Sequence, residues 1–117
     1  MNEYFARLEQ LRGRLVAAGH DDWAMKLLSA ERSASTSGEA LSNTGVVLKE
    51  LLAAATAMKG NNQVLGGVYY YLGLSSAKLN RQGEAVNYLT QSSKIAGPYQ
   101  AYAADTLKKI RAALAGR

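Results

Sequence analysis

The chain has 117 residues, one proline and no cysteine. Its length suits one domain whose core needs no staple, and the missing cysteine excludes a disulfide framework and thiolate chemistry. The formal charge of +5 is uneven: residues 1–59 carry seven basic and seven acidic side chains, whereas residues 60–117 set seven basic ones against Glu84 and Asp105 alone. A basic half suits an acidic partner or nucleic acid, or simply a solvated face.

The opening residues, MNEYFARLEQ, lack a basic segment followed by an apolar run, so no signal peptide is expected. No stretch is apolar for long enough to cross a bilayer, and the expected location is the cytoplasm. A first helix is expected from about Glu3 to Ala18, with Phe5, Leu8, Leu11 and Leu15 at helical spacing and Gly19 as its stop. Asp21 then caps a second, DDWAMKLLSAER. Its Trp23, Leu27 and Ala30 share a face that Ala24 and Leu28 widen. Together these two helices form a hairpin over residues 3–33.

Thr36 and Glu39 have the capping-box spacing and open a long helix over residues 37–59. Leu41, Leu48, Leu52 and Ala55 line one side of it, and Leu51 and Met58 broaden that stripe. KGNNQ breaks the chain, and Asn61 or Asn62 caps a fourth helix that Asn80 closes near Leu79. A fifth helix, about Gly83 to Ile95, carries Ala85, Leu89 and Ser92 on one face and completes a hairpin over residues 62–96. Pro98 sits in the first turn of a sixth helix over residues 98–115. There Tyr99, Tyr102, Ala103, Thr106, Ile110 and Ala113 face inward, with Lys108, Lys109 and Arg111 off that face. Nothing alternates with period two for long. The expected fold class is all-α, with five to six helices in antiparallel hairpins, a bundle or short solenoid.

Three tyrosines in a row, in GGVYYYLG (residues 66–73), pose the functional question. Successive helical residues lie about 100° apart, so the three cannot form one stacked platform. Tyr69 falls with Leu65, Val68, Leu72, Ser76 and Leu79, a core stripe. Tyr70 falls with Leu74 and Ala77 on a second apolar side, and Tyr71 lies near Gly67, Ser75 and Lys78. A helix apolar on two sides is packed between neighbours or holds a partner. The flanking glycines suit close helix contact better than phosphate binding, because no strand precedes them.

Tyr69, Leu72, Gly73 and Ser76 follow the spacing W-x2-L-G-x2-Y, and Ala85 and Leu89 follow as A-x3-F. In this the segment 66–98 resembles the tetratricopeptide repeat, with a fainter echo in residues 5–31, where Arg12 stands in the place of the small contact residue. The resemblance implies that Gly73 and Ala85 mark the touching point of two antiparallel helices. It also implies a concave groove, lined by the first helix of each hairpin, that binds a peptide or protein segment. Tyr70, Leu74, Ala77 and Lys78 would fall on that surface. The alternative is that the third or sixth helix covers this face.

Catalytic groups are sparse. His20 stands beside Asp21 and Asp22 with no nucleophile tied to it, the other carboxylates are scattered, and neither a metal site nor a cofactor is expected. The leading expectation is a non-enzymatic module that binds another protein. Its partner-binding residues would be Tyr70, Tyr71, Leu74, Lys78, Lys108, Lys109 and Arg111. LRGRLVAAGHDDWAMKLLSA through LSNTGVVLKELL is also similar to short helical proteins encoded beside bacterial toxins. That likeness implies an immunity protein or adaptor that covers a toxin carrying an acidic rim. The second reading is a nucleic-acid-associated protein using the basic half, and the third a subunit that buries its second apolar face in a homodimer.

Overall fold

The computed structural model of the chain describes residues 2–55 and 62–116. They form six α-helices, with no strand among the described residues: α1 Asn2–Ala17, α2 Asp21–Arg32, α3 Ser37–Ala55, α4 Asn62–Lys78, α5 Gln82–Ser93 and α6 Gln100–Ala115. Each helix packs against the next in an antiparallel sense, and α4 meets α1 and α6 as well. The fold is all-α, as the hydrophobic spacing predicts. Its extents are 43 × 36 × 21 Å. Packed helices lie about 8–10 Å apart, so the short dimension holds two layers. Met58, Lys59 and Asn61 lie outside the described residues, as do the side chains of Ala55 and Asn62.

Local signals place the helix ends. Glu39 N–H donates to Thr36 Oγ1 at 3.1 Å, and the Glu39 carboxylate accepts from Ser35 N–H at 3.0 Å, so the box at the start of α3 closes one residue further back than the reciprocal form. After α1, Gly19 takes φ 84, and His20 N–H donates to the Leu15 carbonyl at 2.7 Å. After α4, Asn80 takes φ 62, and Arg81 N–H donates to the Ser76 carbonyl at 2.8 Å. Both ends are left-handed stops that satisfy otherwise orphaned carbonyls. Two expected starts move. His20, not Asp21, is the N-cap of α2, and it makes no side-chain capping bond. Asp21 and Asp22 lie inside the first turn, where their charge still suits the helix dipole. Pro98 precedes α6, whose N-cap is Tyr99.

Within α1 the inward stripe is Tyr4, Leu8, Leu11 and Leu15, with Phe5 only half-buried beside it. Thr44 lies under Tyr4, its hydroxyl 3.1 Å from the phenol oxygen. Where the echo of the repeat lacks a small residue, Arg12 instead reaches Glu31 of α2 at 3.0 Å. On α3, Leu41, Leu48 and Leu51 are buried, and Leu52 packs at the edge. The buried residues of α6 are Ala103 and Leu107, with its N-cap Tyr99 buried beside them. Tyr102 and Ala113, expected inward, are exposed, and Leu107 takes the place expected for them.

The centre of the molecule is α4. It meets α1, α3, α5 and α6, so almost every direction around it is inward. Val64, Val68, Tyr70, Tyr71, Leu72, Ser75 and Ser76 are all buried. Two glycines allow this crowding. A Cβ at Gly67 would stand 2.8 Å from the Tyr99 ring and 3.0 Å from Leu11. One at Gly73 would stand 2.5 Å from Leu89 Cγ and 3.4 Å from the Ala85 carbonyl. At these points α4 approaches its neighbours more closely than any side chain permits. Ser92 of α5 donates to the Gly66 carbonyl at 2.8 Å, a buried polar tie across the same hairpin.

Candidate functional site

Four rings fill the space where α1, α4 and α6 converge. Tyr70 and Tyr71 stack edge to face at 5.1 Å. Tyr99 lies 5.7 Å from Tyr70 and 5.6 Å from Tyr71, and Tyr4 lies 6.0 Å from Tyr71. Such separations are those of favourable aromatic pairs. The Tyr71 hydroxyl donates to the Arg7 carbonyl, and Arg7 Nη1 donates to the Tyr70 hydroxyl at 2.8 Å. The same guanidinium lies 5.1 Å from the centre of the Tyr102 ring, within cation–π range. Tyr102 is half-exposed, at 50%, so the aromatic cluster surfaces there.

Above this cluster lies a cleft of about 360 Å³. Tyr70, Leu74 and Lys78 of α4 form one wall, at i, i+4 and i+8. Tyr102, Asp105, Thr106 and Lys109 of α6 form the other, at i, i+3, i+4 and i+7, and Tyr4 and Arg7 of α1 close the end. Each set is one face of one helix. The lining carries Arg7, Lys78 and Lys109 against the single carboxylate of Asp105. Lys109 Nζ reaches that carboxylate at 3.1 Å on the exposed surface.

Of the residues expected to bind a partner, Tyr70, Leu74, Lys78 and Lys109 meet in this cleft. Tyr71 does not line it, being fully buried behind Tyr70. Lys108 and Arg111 are exposed on α6 but outside the lining. The assignment of faces on α4 is also corrected. Tyr69, expected in the core stripe, is half-buried against Tyr88 at 6.4 Å, whereas Tyr70 retains only 1% exposure at the floor of the cleft. The covering of Tyr70 comes from α6 and α1. Sequence reasoning missed Tyr4, Arg7, Tyr102, Asp105 and Thr106 as lining residues. The intervals four, three and four from Tyr4 through Leu8 and Leu11 to Leu15 are the one signal that points to Tyr4.

Burial raises the Tyr4 phenol to about 12, with the Thr44 hydrogen bond opposing it. Burial also raises Tyr71 and Tyr99. Each phenol therefore holds its proton more tightly folded than unfolded. For Tyr4 this contribution to stability is whole below the unfolded value of 10.0 and is lost as pH rises toward about 12. Unfolding free energy should accordingly fall above about pH 10, by roughly 1 kcal/mol per pH unit for each such group. Tyrosinate absorbance, followed beside circular dichroism in an alkaline titration, should show these phenols ionising together with loss of helix. Ionisation complete before any helix is lost would exclude the buried cluster.

No group of three or more His, Asp or Glu side chains placed to hold a metal ion occurs among the described residues. Nor is any described helix long and apolar enough to cross a membrane. Comparison of the chain with protein-family models, with curated proteins and with solved structures finds no match.

Proposed function

We propose that the chain is a small non-catalytic interaction module that binds another protein through the cleft between α1, α4 and α6. The observation that carries this reading is the half-exposed Tyr102 ring at the lip of a concave, basic, tyrosine-floored surface built by three helices. Tyrosine is among the side chains that most often anchor protein partners. The tetratricopeptide resemblance lends support from another direction. Gly73 meets Leu89 and Ala85 where that hairpin requires close contact. The cleft is lined by α1 and α4, the first helices of the two hairpins, and by α6, which stands where a third would begin. On this reading the module acts by occlusion, as an immunity protein or adaptor does. The specific likeness to toxin-neutralising proteins rests on the sequence of α1 to α3 alone. Nucleic-acid association is less favoured, since Lys108 and Arg111 lie off the cleft and continue no basic track along it.

The test is photo-crosslinking in the native host, with a photoreactive phenylalanine analogue in place of Tyr102. The control carries it in place of Met25 of α2, which is 59% exposed and outside the cleft. A discrete protein adduct from position 102 and none from position 25 is expected. The same adducts from both positions, or none from position 102, would contradict the proposal.

A further inference from the structure

We infer that the occupant of the cleft is an acidic peptide segment carrying one aromatic or aliphatic anchor. This rests on the reading of the cleft as the binding surface and specifies what it recognises. The charge is arranged along the cleft rather than spread over it. Lys78 ends the α4 wall and Lys109 the α6 wall, each two turns beyond a tyrosine, Tyr70 and Tyr102 respectively. Lys78 has no ion-pair partner among the described residues. Lys109 shares Asp105 only at the exposed surface, where an incoming carboxylate can compete for it. At the other end stand Tyr102 and the aliphatic stem of Arg7, whose head is engaged with Tyr70 and Tyr102, and Leu74 lies midway along the α4 wall. A ligand that fits both ends offers carboxylates to the lysines and an apolar side chain to the rings.

Two details separate such a segment from a nucleic-acid strand. Asp105 sits between Tyr102 and Lys109 on the cleft wall, where it would repel a phosphate backbone lying along it. A peptide can place a neutral or donor residue there, and Thr106 beside it offers a hydroxyl. In addition, the cleft at about 360 Å³ suits a few side chains rather than a run of bases.

The experiment is selection from a randomised peptide library displayed on phage, against the full chain, at low and physiological salt. The winning peptides are then titrated by fluorescence anisotropy against wild type and Lys78→Glu, Lys109→Glu and Lys108→Glu variants. Lys108 adjoins Lys109 but lies outside the lining, so its reversal changes net charge identically without touching the cleft. Selected peptides should be rich in Asp and Glu around one aromatic or aliphatic residue. Lys78→Glu and Lys109→Glu should each weaken binding about tenfold or more, against about twofold or less for Lys108→Glu. Replacing the anchor by Ser should cost about tenfold. Melting curves of the three variants should differ little, since all three side chains are exposed and the Lys109–Asp105 pair lies at the surface. Winners without acidic character, or equal weakening by all three reversals, would overturn the inference. Tighter, steeply salt-dependent binding of a labelled oligothymidine strand would overturn it in favour of nucleic acid. Failure to select acidic peptides alongside a specific adduct from position 102 would sink this inference and leave the binding surface standing.

Discussion

Gly73→Leu is expected to unfold the protein or nearly so. A Cβ at this position already stands 2.5 Å from Leu89 Cγ and 2.8 Å from Leu89 Cδ2, distances that real Cβ atoms do not show. The third near atom is the Ala85 backbone carbonyl at 3.4 Å, which cannot rotate away. Leucine adds three further carbons to that point. Overpacking costs about 1–3 kcal/mol where a core can adjust and more where it cannot. Removing a mid-helix glycine returns only about 1 kcal/mol. The net loss should be several kcal/mol, against a total stability of about 5–15 kcal/mol for a domain of this kind. Gly13→Ala is the internal control. Gly13 lies in α1, and nothing stands within 4 Å of the point its methyl group would occupy. The same propensity gain then acts alone and should stabilise by about 0.5–1 kcal/mol. Thermal melts of both variants check this. An unchanged midpoint for Gly73→Leu would remove the close α4–α5 contact.

Truncation of the tyrosine row should be uneven. Tyr70→Ala and Tyr71→Ala should each cost about 3–5 kcal/mol, as loss of a buried aromatic does. Tyr70 touches three other tyrosine rings and accepts the Arg7 hydrogen bond, and Tyr71 touches three and holds the Arg7 carbonyl. Tyr69→Ala removes a half-buried ring's contact with Tyr88 and should cost about 1–2 kcal/mol. Urea denaturation of the three single variants gives the order directly. Tyr69→Ala as the most damaging of the three would reverse the placement of α4 among its neighbours.

That order also shows where the sequence is readable. Signals that act within one turn are legible: Thr36 with Glu39, Gly19 and Asn80 each make the local bond their type predicts. The Gly73–Ala85 contact is legible as well, because two small residues at a fixed spacing mark a hairpin whose partner helix follows directly. The inward tyrosines are not. Angular reasoning assigns faces when a helix has one buried side, and α4 has neighbours in four helices. Phe5 outranks Tyr4 on hydrophobicity, yet Tyr4 reaches Thr44, a partner 40 residues away that satisfies its hydroxyl. The cleft is half legible for the same reason. Tyr70 and Leu74 follow from a shared helix face, Lys78 from the repeat resemblance and Lys109 from its charge, whereas Arg7 meets Tyr70 across 63 residues, and no local pattern announces that meeting.

One measurement bears most directly on the binding surface: the affinity of the partner captured from position 102 for the wild-type chain, Tyr102→Ala and Met25→Ala. Tyr102 is half-exposed but packs against Tyr70 and the Arg7 guanidinium, so its truncation should cost about 1–2 kcal/mol of stability and leave the chain folded at the temperature of the titration. A ring at the lip of an occupied cleft contributes about 2 kcal/mol or more, and its loss should weaken binding roughly thirtyfold, with Met25→Ala indistinguishable from wild type. Unchanged affinity for Tyr102→Ala, or a greater loss from Met25→Ala, would contradict the cleft as the site of binding.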